Sequence, residues 1–254
     1  MIEIIQIPLL LDNYSYIIID KNTNITGCID PSVAKDIANV LQNRRMDLNF
    51  ILNTHHHQDH VGGNQELKEI YNCKIIGCHD DQNRIPGIDI KLKNSEEFNM
   101  GESVFKVIDT PGHTIGHICF YFKDQNFLFC GDTIFSLGCG RLFEGSYEQM
   151  TESILKIRSL PESTKIFCGH EYTESNAKFA EFLDPGDNAL KKKIFNIKKD
   201  RLESKPTIPA ILEEEKKLNP FMKFDNQEYL DSIKIENISN AENFKKIRIM
   251  KDNF

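Results

Sequence analysis

The sequence predicts a layered fold of mixed strands and helices, in the α/β or α+β class, followed by a smaller helical domain. In the first two thirds of the 254 residues, short apolar segments alternate with turns and with a few segments of helical periodicity. From about Glu174 onward, strand signals disappear and a helical pattern with clustered lysines takes over. We therefore expect two domains, residues 1–173 and residues 174–254.

The predicted strands are short apolar runs bounded by turn residues. The first lies within residues 1–11, where Glu3, Pro8 and the lack of a basic leader argue against a signal peptide. Further strands are predicted at residues 14–19, 50–52, 73–77, 104–109, 118–122, 127–130 and 165–168. Helices are predicted at residues 32–42, 63–71, 147–158 and 174–182. The charged run 213–217 is predicted to be the solvated face of a helix.

The charge balance limits the classes of partner. The chain has 31 Lys and Arg residues against 38 Asp and Glu residues, a formal net charge of -7. A general nucleic-acid binder needs a basic footprint, which this balance does not provide. No apolar run is long enough to span a bilayer. We therefore expect neither a nucleic-acid nor a membrane partner, and nothing in the sequence requires more than a monomer.

The cysteines indicate a reducing compartment. There are seven, an odd number, and none belongs to a Cys-x-x-Cys pair. Most lie inside apolar, strand-like segments, where free buried thiols explain them better than a disulfide framework does. The expected location is the cytoplasm.

A histidine-rich run follows the predicted strand 50–52 and reads Thr54-His55-His56-His57-Gln58-Asp59-His60. In an extended chain alternate residues point the same way, so His55 and His57 project toward one point. The backbone can then turn at Gly62-Gly63, which lets Asp59 and His60 reach a second point. A surface histidine or an expression tag would lack this context of Asp and paired glycines. The run therefore predicts two ligands for each of two metals.

Three later segments share one pattern, in which an apolar strand is followed by a glycine and then a metal-ligand type. They end in His113, Asp132 and His170. Because sites in layered α/β proteins form beyond the carboxyl ends of strands, these loops can converge on the first run. Open positions would remain for a shared water. The predicted ligand sets are His55, His57 and His113 for one metal, Asp59, His60 and His170 for the other, and Asp132 as a bridge.

The other histidines are predicted to have supporting or surface positions. His117 follows His113 by four residues, and we expect it to orient a neighbour or to fill the core rather than to bind metal. His56 is expected at the surface or in support of a ligand, and His79 at the surface.

The His-x-His-x-Asp-His run, taken with Gly112-His113, Gly131-Asp132 and Gly169-His170, resembles the metallo-β-lactamase superfamily. The resemblance covers residues 1 to about 170. It implies an α+β fold, a four-layer αββα sandwich, with a two-metal site at the sheet edges. Because this fold carries several chemistries, the resemblance does not fix the substrate.

Further motifs resemble glyoxalase II (hydroxyacylglutathione hydrolase), and they extend along the whole chain: GDTIF, GCGRLFEG, CGHEYT, NPFM and RIMKDNF. This resemblance implies hydrolysis of S-D-lactoylglutathione and related S-2-hydroxyacylglutathiones to D-lactate and glutathione, the second step of methylglyoxal detoxification. The nucleophile is implied to be a metal-bridged hydroxide, with Asp59 and Asp132 as the catalytic carboxylates. The implied cofactors are two divalent metal ions, zinc first, with iron or manganese as alternatives.

The resemblance also assigns substrate-binding residues. Arg141, Tyr172, Arg248 and Lys251 match the family's glutathione-binding positions. Arg and Lys can pair with the two carboxylates of glutathione. Arg141 replaces a Lys that is often found there, which keeps the charge. Phe143 stands where some members have a substrate-contacting Tyr, so one hydrogen bond to glutathione is expected to be missing.

Other functions of this fold make different demands. A persulfide dioxygenase with one iron needs two histidines and one carboxylate as ligands. In such an enzyme Asp59, His60 and His170 would not bind metal. A nuclease should carry a basic face or an extra domain, and a β-lactamase should carry an export signal. A non-catalytic binding module has no reason to keep seven convergent ligands. The second ligand set and the glutathione-type C-terminal segment favour the hydrolase.

Overall fold

The computed structural model describes residues 1–254, which form two compact units. The N-terminal unit consists of residues 1–109 and 114–131, and the C-terminal unit of residues 110–113 and 132–254. The division between these two units does not fall at residue 173, where the sequence predicts a domain boundary, and that boundary stays a prediction.

The first sheet of the N-terminal unit has six strands. They are β1 Ile2–Leu9, β2 Asn13–Asp20, β3 Thr26–Ile29, β4 Phe50–Leu52, β5 Lys74–Cys78 and β6 Ile90–Leu92. Their order in the sheet follows the chain, antiparallel from β1 to β3 and parallel from β3 to β6. Every residue of β2 is buried, as expected for a strand with both faces covered.

Helices cover one face of this sheet. They are α1 Ala34–Asn43, the short α2 Gln58–Val61 and α3 Asn64–Tyr71. Apolar residues at helical spacing, Ile37 and Leu41 in α1, join Leu67 of α3 in one buried cluster. Ile17 and Ile51 of the sheet belong to the same cluster, so the helices and the sheet share one core.

A second sheet faces the first within the N-terminal unit. Its antiparallel strands there are β7 Glu97–Met100, β8 Ser103–Asp109, β9 Ile118–Phe122 and β10 Phe127–Gly131. Aromatic rings fill the interface: Phe98 meets Phe50 edge-on at 5.2 Å between centroids, and Tyr16 meets Phe129 at 5.4 Å. At Gly27 a Cβ would lie 2.9 Å from Met100 Sδ, so the two sheets approach each other closely at this glycine.

The C-terminal unit combines short strands with most of the helices. A hairpin pairs β11 Ile134–Phe135 with β12 Gly138–Cys139, and β13 Lys165–Cys168 pairs antiparallel with β14 Ala210–Ile211. The helices are α4 Tyr147–Arg158, α5 Thr173–Leu183, α6 Asn188–Leu202, α7 Leu212–Leu218, α8 Gln227–Ser232 and α9 Asn240–Asp252. Ser146 and Gln149 form a capping box that fixes the start of α4. No helix of the chain is long and apolar enough to cross a membrane.

Most predicted elements are confirmed. The strands at 50–52, 118–122 and 165–168 and the helix at 147–158 have the predicted bounds, and the others differ by one or two residues at their ends. All seven cysteines are buried and none is in a disulfide, as expected.

One expectation for the C-terminal segment is wrong, and one element there was not predicted. The unpredicted element is β14, which has only two residues, too few for a sequence pattern, and its pairing with β13 defines it. The charged run in α7 is not wholly solvated, because Glu215 is fully buried there.

Candidate metal centre

In the N-terminal unit, the carboxylate of Asp30 holds the loop that follows β4. Its Oδ1 accepts a hydrogen bond from Thr54 N at 2.8 Å, and its Oδ2 accepts one from Thr54 Oγ1 at 2.6 Å. The same Oδ2 lies 3.0 Å from His60 Nδ1. A carboxylate at Nδ1 fixes the tautomer of an imidazole whose Nε2 is the coordinating nitrogen. Asp30 therefore prepares His60 as a ligand.

The two histidines predicted to share a metal converge. His55 Nε2 lies 3.1 Å from His57 Nδ1, and His55 Nδ1 lies 3.1 Å from Thr54 Oγ1. Two nitrogens bound at about 2.0–2.1 Å to a tetrahedral ion are about 3.3 Å apart. The spacing of this pair fits two ligands of one ion.

The carboxylate of Asp59 is directed toward the same segment. Asn13 Nδ2 donates to Asp59 Oδ2 at 2.9 Å, and Ser32 Oγ donates to the Asp59 carbonyl. Asp59 Oδ2 lies 3.5 Å from His60 Nε2. The turn after the run therefore brings the second predicted pair of ligands together.

In the C-terminal unit, one carboxylate oxygen of Asp132 meets two imidazoles. Asp132 Oδ2 lies 3.5 Å from His113 Nε2 and 3.2 Å from His170 Nε2. All three side chains are buried. These distances again match those between neighbouring ligands of one ion. The role of Asp132 as a bridge stays a prediction.

The loop that follows β12 supports this group. His113 Nδ1 donates to the carbonyl of Arg141 at 2.7 Å, which leaves Nε2 as the nitrogen that faces Asp132. A Cβ at Gly140 would lie 2.0 Å from the Asp132 carbonyl oxygen and 3.1 Å from His113 Nδ1. Glycine is therefore required for the close approach of this loop to both residues.

Aromatic rings hold His170 in place. Its ring stacks on Tyr172, with centroids 4.7 Å apart and planes 2° from parallel. Phe135 meets both rings edge-on. The phenol predicted to contact substrate therefore lies beside a predicted metal ligand.

Three of the predicted substrate-binding residues are grouped around α9. Arg248 is buried and donates from Nη2 to Asp252 at 2.9 Å, and Arg141 Nε lies 3.7 Å from the same carboxylate oxygen. Lys251 instead donates to the Ser175 carbonyl at 3.0 Å. Burial, then Arg248, then Arg141 lower the pKa of Lys251 to about 8.

Phe143 is exposed, and its ring lies edge-on to His113 at 5.2 Å. A phenylalanine there offers an apolar ring and no hydroxyl, in keeping with the predicted loss of a hydrogen bond to glutathione.

The other histidines have the supporting positions expected. His117 is buried and stacks on His55 at 4.9 Å between centroids. His56 Nδ1 lies 3.0 Å from Asp81 Oδ2, and His79 is exposed beside Asp80.

Sequence reasoning missed Asp30. It follows β3 directly, just as the predicted ligands follow β4, β8, β10 and β13, so the same pattern of an apolar strand and then a carboxylate would have found it. Asp30, His55 and His60 offer donor atoms within 4.8 Å of one another, but the Asp30 oxygens accept from Thr54 and from His60 Nδ1. Asp30 therefore orients ligands.

Within each unit, the donors present fit a divalent metal. Imidazole nitrogens and carboxylate oxygens are the ligands of zinc, iron and manganese, and their spacing suits coordination. The ligand sets that combine residues of the two units stay predictions.

Comparison with known proteins agrees with this donor chemistry. Residues 11–170 match the model of the metallo-β-lactamase superfamily, and residues 171–254 match that of the hydroxyacylglutathione hydrolase C-terminus. The hydroxyacylglutathione hydrolase of Methylococcus capsulatus is 46% identical over 254 residues, which cover 100% of this chain and 99% of that protein. That of Pelagibacter ubique is 47% identical over 252 residues, 99% of this chain and 100% of that protein. The crystal structure of ETHE1 from Myxococcus xanthus aligns with a TM-score of 0.68 at 23% identity, over 96% of this chain and 95% of that one.

The fold and the His and Asp clusters define a metal-binding protein of the metallo-β-lactamase superfamily, with the predicted α+β fold and a C-terminal helical domain. Within that superfamily, the chain belongs to the hydroxyacylglutathione hydrolase (glyoxalase II) family. The predicted resemblance is thereby confirmed.

Proposed function

We propose that this chain is a metal-dependent thioester hydrolase that converts S-D-lactoylglutathione and related S-2-hydroxyacylglutathiones into the hydroxy acid and glutathione. The observation that carries the proposal is a chain that matches hydroxyacylglutathione hydrolases from end to end. The converging imidazole and carboxylate donors supply the metal chemistry that such a reaction needs.

The proposed cofactors are two divalent ions, with zinc first and iron or manganese as alternatives. When bound, they lower the pKa of water toward neutrality and stabilise negative charge on the carbonyl oxygen. His55, His57 and His113 are proposed to hold one ion, Asp59, His60 and His170 the other, and Asp132 to bridge both.

The chain's own residues orient these ligands and move the proton. Asp30 and the Arg141 carbonyl keep His60 and His113 in the tautomers that ligation requires. Asp59, whose side chain is 40% exposed, is proposed to accept the proton of the attacking water. The leaving thiolate has a pKa near ~8.5, so it departs without a strong general acid.

Glutathione is proposed to bind through Arg141, Arg248 and Lys251, with Tyr172 and Phe143 beside the reacting group. The two arginines already share the Asp252 carboxylate, so their guanidinium groups can meet one carboxylate. The Nε of Arg248 has no hydrogen-bond partner in the protein and is buried, so a substrate oxygen would satisfy it.

The proposed state is a monomer in the cytoplasm. Seven buried cysteines with no disulfide among them suit a reducing compartment.

The test is a steady-state assay with S-D-lactoylglutathione, following thioester absorbance on protein whose metal content has been measured. We expect hydrolysis by protein with about two metals per chain. Replacing Asp132 with Ala should abolish turnover and reduce the metal content, because the proposed bridge is lost. Full activity in that variant would refute the two-metal site.

This assay, combined with a measurement of oxygen uptake, separates the competing functions. If the protein binds two metals but does not turn over S-D-lactoylglutathione, it would still be a candidate hydrolase. The substrates to test next would then be other thioesters or esters. One iron per chain, with oxygen uptake on glutathione persulfide, would identify the dioxygenase instead. The full-length relatives do not favour that alternative.

A further inference from the structure

A fully buried glutamate lies inside the charged run of α7. Glu213, Glu214 and Lys217 of this run are exposed, whereas Glu215 has no exposed surface. Burial raises the pKa of the Glu215 carboxyl. Burying an ionised side chain in such a position costs folding free energy unless hydrogen-bond donors surround it.

The donors come from the turn of the β11–β12 hairpin. Ser136 Oγ donates to Glu215 Oε1 at 3.0 Å, and Leu137 N donates to Oε2 at 2.8 Å. Asn219 Nδ2 donates to the same Oε2 at 2.9 Å. The carboxylate therefore ties a two-residue turn to the end of α7.

Asn219 extends this connection to the strands. Its Nδ2 also contacts the carbonyl oxygens of Phe135 at 3.2 Å and Gly138 at 3.0 Å, one in each strand. Its Oδ1 accepts from Phe221 N at 3.0 Å. Glu215 therefore orients an amide that holds both the hairpin and the segment that follows α7.

Arg248 lies between these two segments. Its Nη1 donates to the Cys139 carbonyl of β12 at 3.1 Å, and its guanidinium carbon lies 4.9 Å above the Phe221 ring. The hairpin and the ring thus fix the direction of the guanidinium. A shift of either one would move the group that is proposed to bind a glutathione carboxylate.

The position of Asp132, the predicted metal ligand that precedes the hairpin, depends less on this turn. Asp132 is followed by Thr133, whose Oγ1 donates to Thr110 Oγ1 at 2.9 Å. Gly140 N donates to the Thr133 carbonyl at 3.3 Å. These contacts lie at the opposite end of the hairpin from the turn, so they hold Asp132 without help from Glu215.

We propose that Glu215 is a positioning residue for substrate binding, which acts through the β11–β12 turn and Asn219 to fix the guanidinium of Arg248. The inference rests on the proposed function, because Arg248 is taken to bind glutathione. It predicts that the loss of Glu215 raises KM for the glutathione thioester and leaves kcat nearly unchanged.

The test compares Glu215→Ala with Glu215→Gln in the metal-loaded full chain. Glu215→Ala should raise KM for S-D-lactoylglutathione about tenfold, the factor that one or two lost hydrogen bonds correspond to, with kcat within about threefold. Glu215→Gln should restore KM to within about twofold, because its carbonyl can accept from Leu137 and Asn219 while its amide donates to Ser136 Oγ. Glu213→Ala is the matched control on the same helix and should match the parent.

A double-mutant cycle distinguishes positioning from a general loss of stability. If Glu215 acts through Arg248, the KM effect of Glu215→Ala should disappear in an Arg248→Ala background. Additive effects on KM, or a KM unchanged by Glu215→Ala, would overturn the inference. If Glu215→Ala does not fold, Ser136→Ala replaces it in the cycle, with an expected KM rise of about two- to threefold.

The activity of the parent protein distinguishes failure of the proposed function from failure of the inference. If the parent protein does not hydrolyse the thioester, the proposed function is wrong, and the inference that rests on it is rejected as well. A parent that turns over normally, combined with an additive cycle, leaves the proposed function intact and rejects only the role of Glu215.

Discussion

At the scale of single residues, the Asp30 carboxylate orients a predicted metal ligand, His60. Asp30 accepts three hydrogen bonds, two from Thr54 and one from His60 Nδ1. An asparagine at this position would present an amide nitrogen to at least one of these donors. Asp30→Asn should therefore weaken metal affinity by about 10–100-fold, as measured by competition with a chelator.

The matched control for this variant is Asp36→Asn. Asp36 is exposed on α1, so its replacement should leave metal affinity unchanged. Equal affinities in the parent and in Asp30→Asn would mean that Asp30 does not orient His60.

Lys251 gives the proposed substrate site a pH dependence. Burial, Arg248 and Arg141 lower its pKa to about 8, so the side chain is charged below that pH and neutral above it. Because only the charged form attracts a substrate carboxylate, KM should rise as the pH passes through about 8. Lys251→Arg keeps its charge throughout and should flatten this part of the profile of KM against pH.

Lys245→Arg on the same helix serves as the comparison. Lys245 is paired with Glu242 and lies over the Tyr147 ring, and its replacement should leave the profile unchanged. A parental KM that stays flat as the pH passes through about 8 would contradict a role for Lys251 in binding.

At the scale of elements, the close approach at Gly140 connects the hairpin to the predicted metal ligands Asp132 and His113. A Cβ at this position would lie 2.0 Å from the Asp132 carbonyl oxygen, which is backbone and has little freedom to move. Gly140→Ala should therefore displace the loop, lower the free energy of unfolding by about 1–3 kcal/mol and reduce metal content. Thermal melting and metal analysis measure these two effects.

Gly186→Ala is the matched glycine substitution. A Cβ there would meet only Asp184 Oδ1 at 3.9 Å, which is an ordinary contact. The variant should melt like the parent and keep its metals, and a Gly140→Ala protein that did the same would show that the loop adapts.

The same elements show what the sequence could and could not predict. Strands such as β4 and β9 have local apolar runs between turn residues, and their bounds were predicted correctly. β14 and the burial of Glu215 depend on partners far away in the chain, Lys165 and Ser136, so no local pattern carries them. The candidate ligands could be picked out from the sequence because each follows a strand, and their role as ligands stays a prediction. Apart from Asp30, the residues that orient them have no such local pattern.

At the scale of the whole molecule, the packing of the core determines how its thiols react. All seven cysteines are buried, and burial raises the pKa of Cys28, Cys78 and Cys168, and that of Cys73 and Cys139 to about 11. A thiol reagent attacks through the thiolate, which at a pH of about 8 is scarce in these positions and shielded from solvent.

The folded protein should therefore react with such a reagent only as fast as it opens, and the denatured protein should reveal seven thiols per chain at once. Ser159→Cys, an exposed position at the end of α4, should add one thiol that reacts immediately and so report that the reagent is active. If native thiols react as fast as that added one, the strands that carry them open freely under native conditions. Burial in the packed core would then not be what protects these thiols from the reagent.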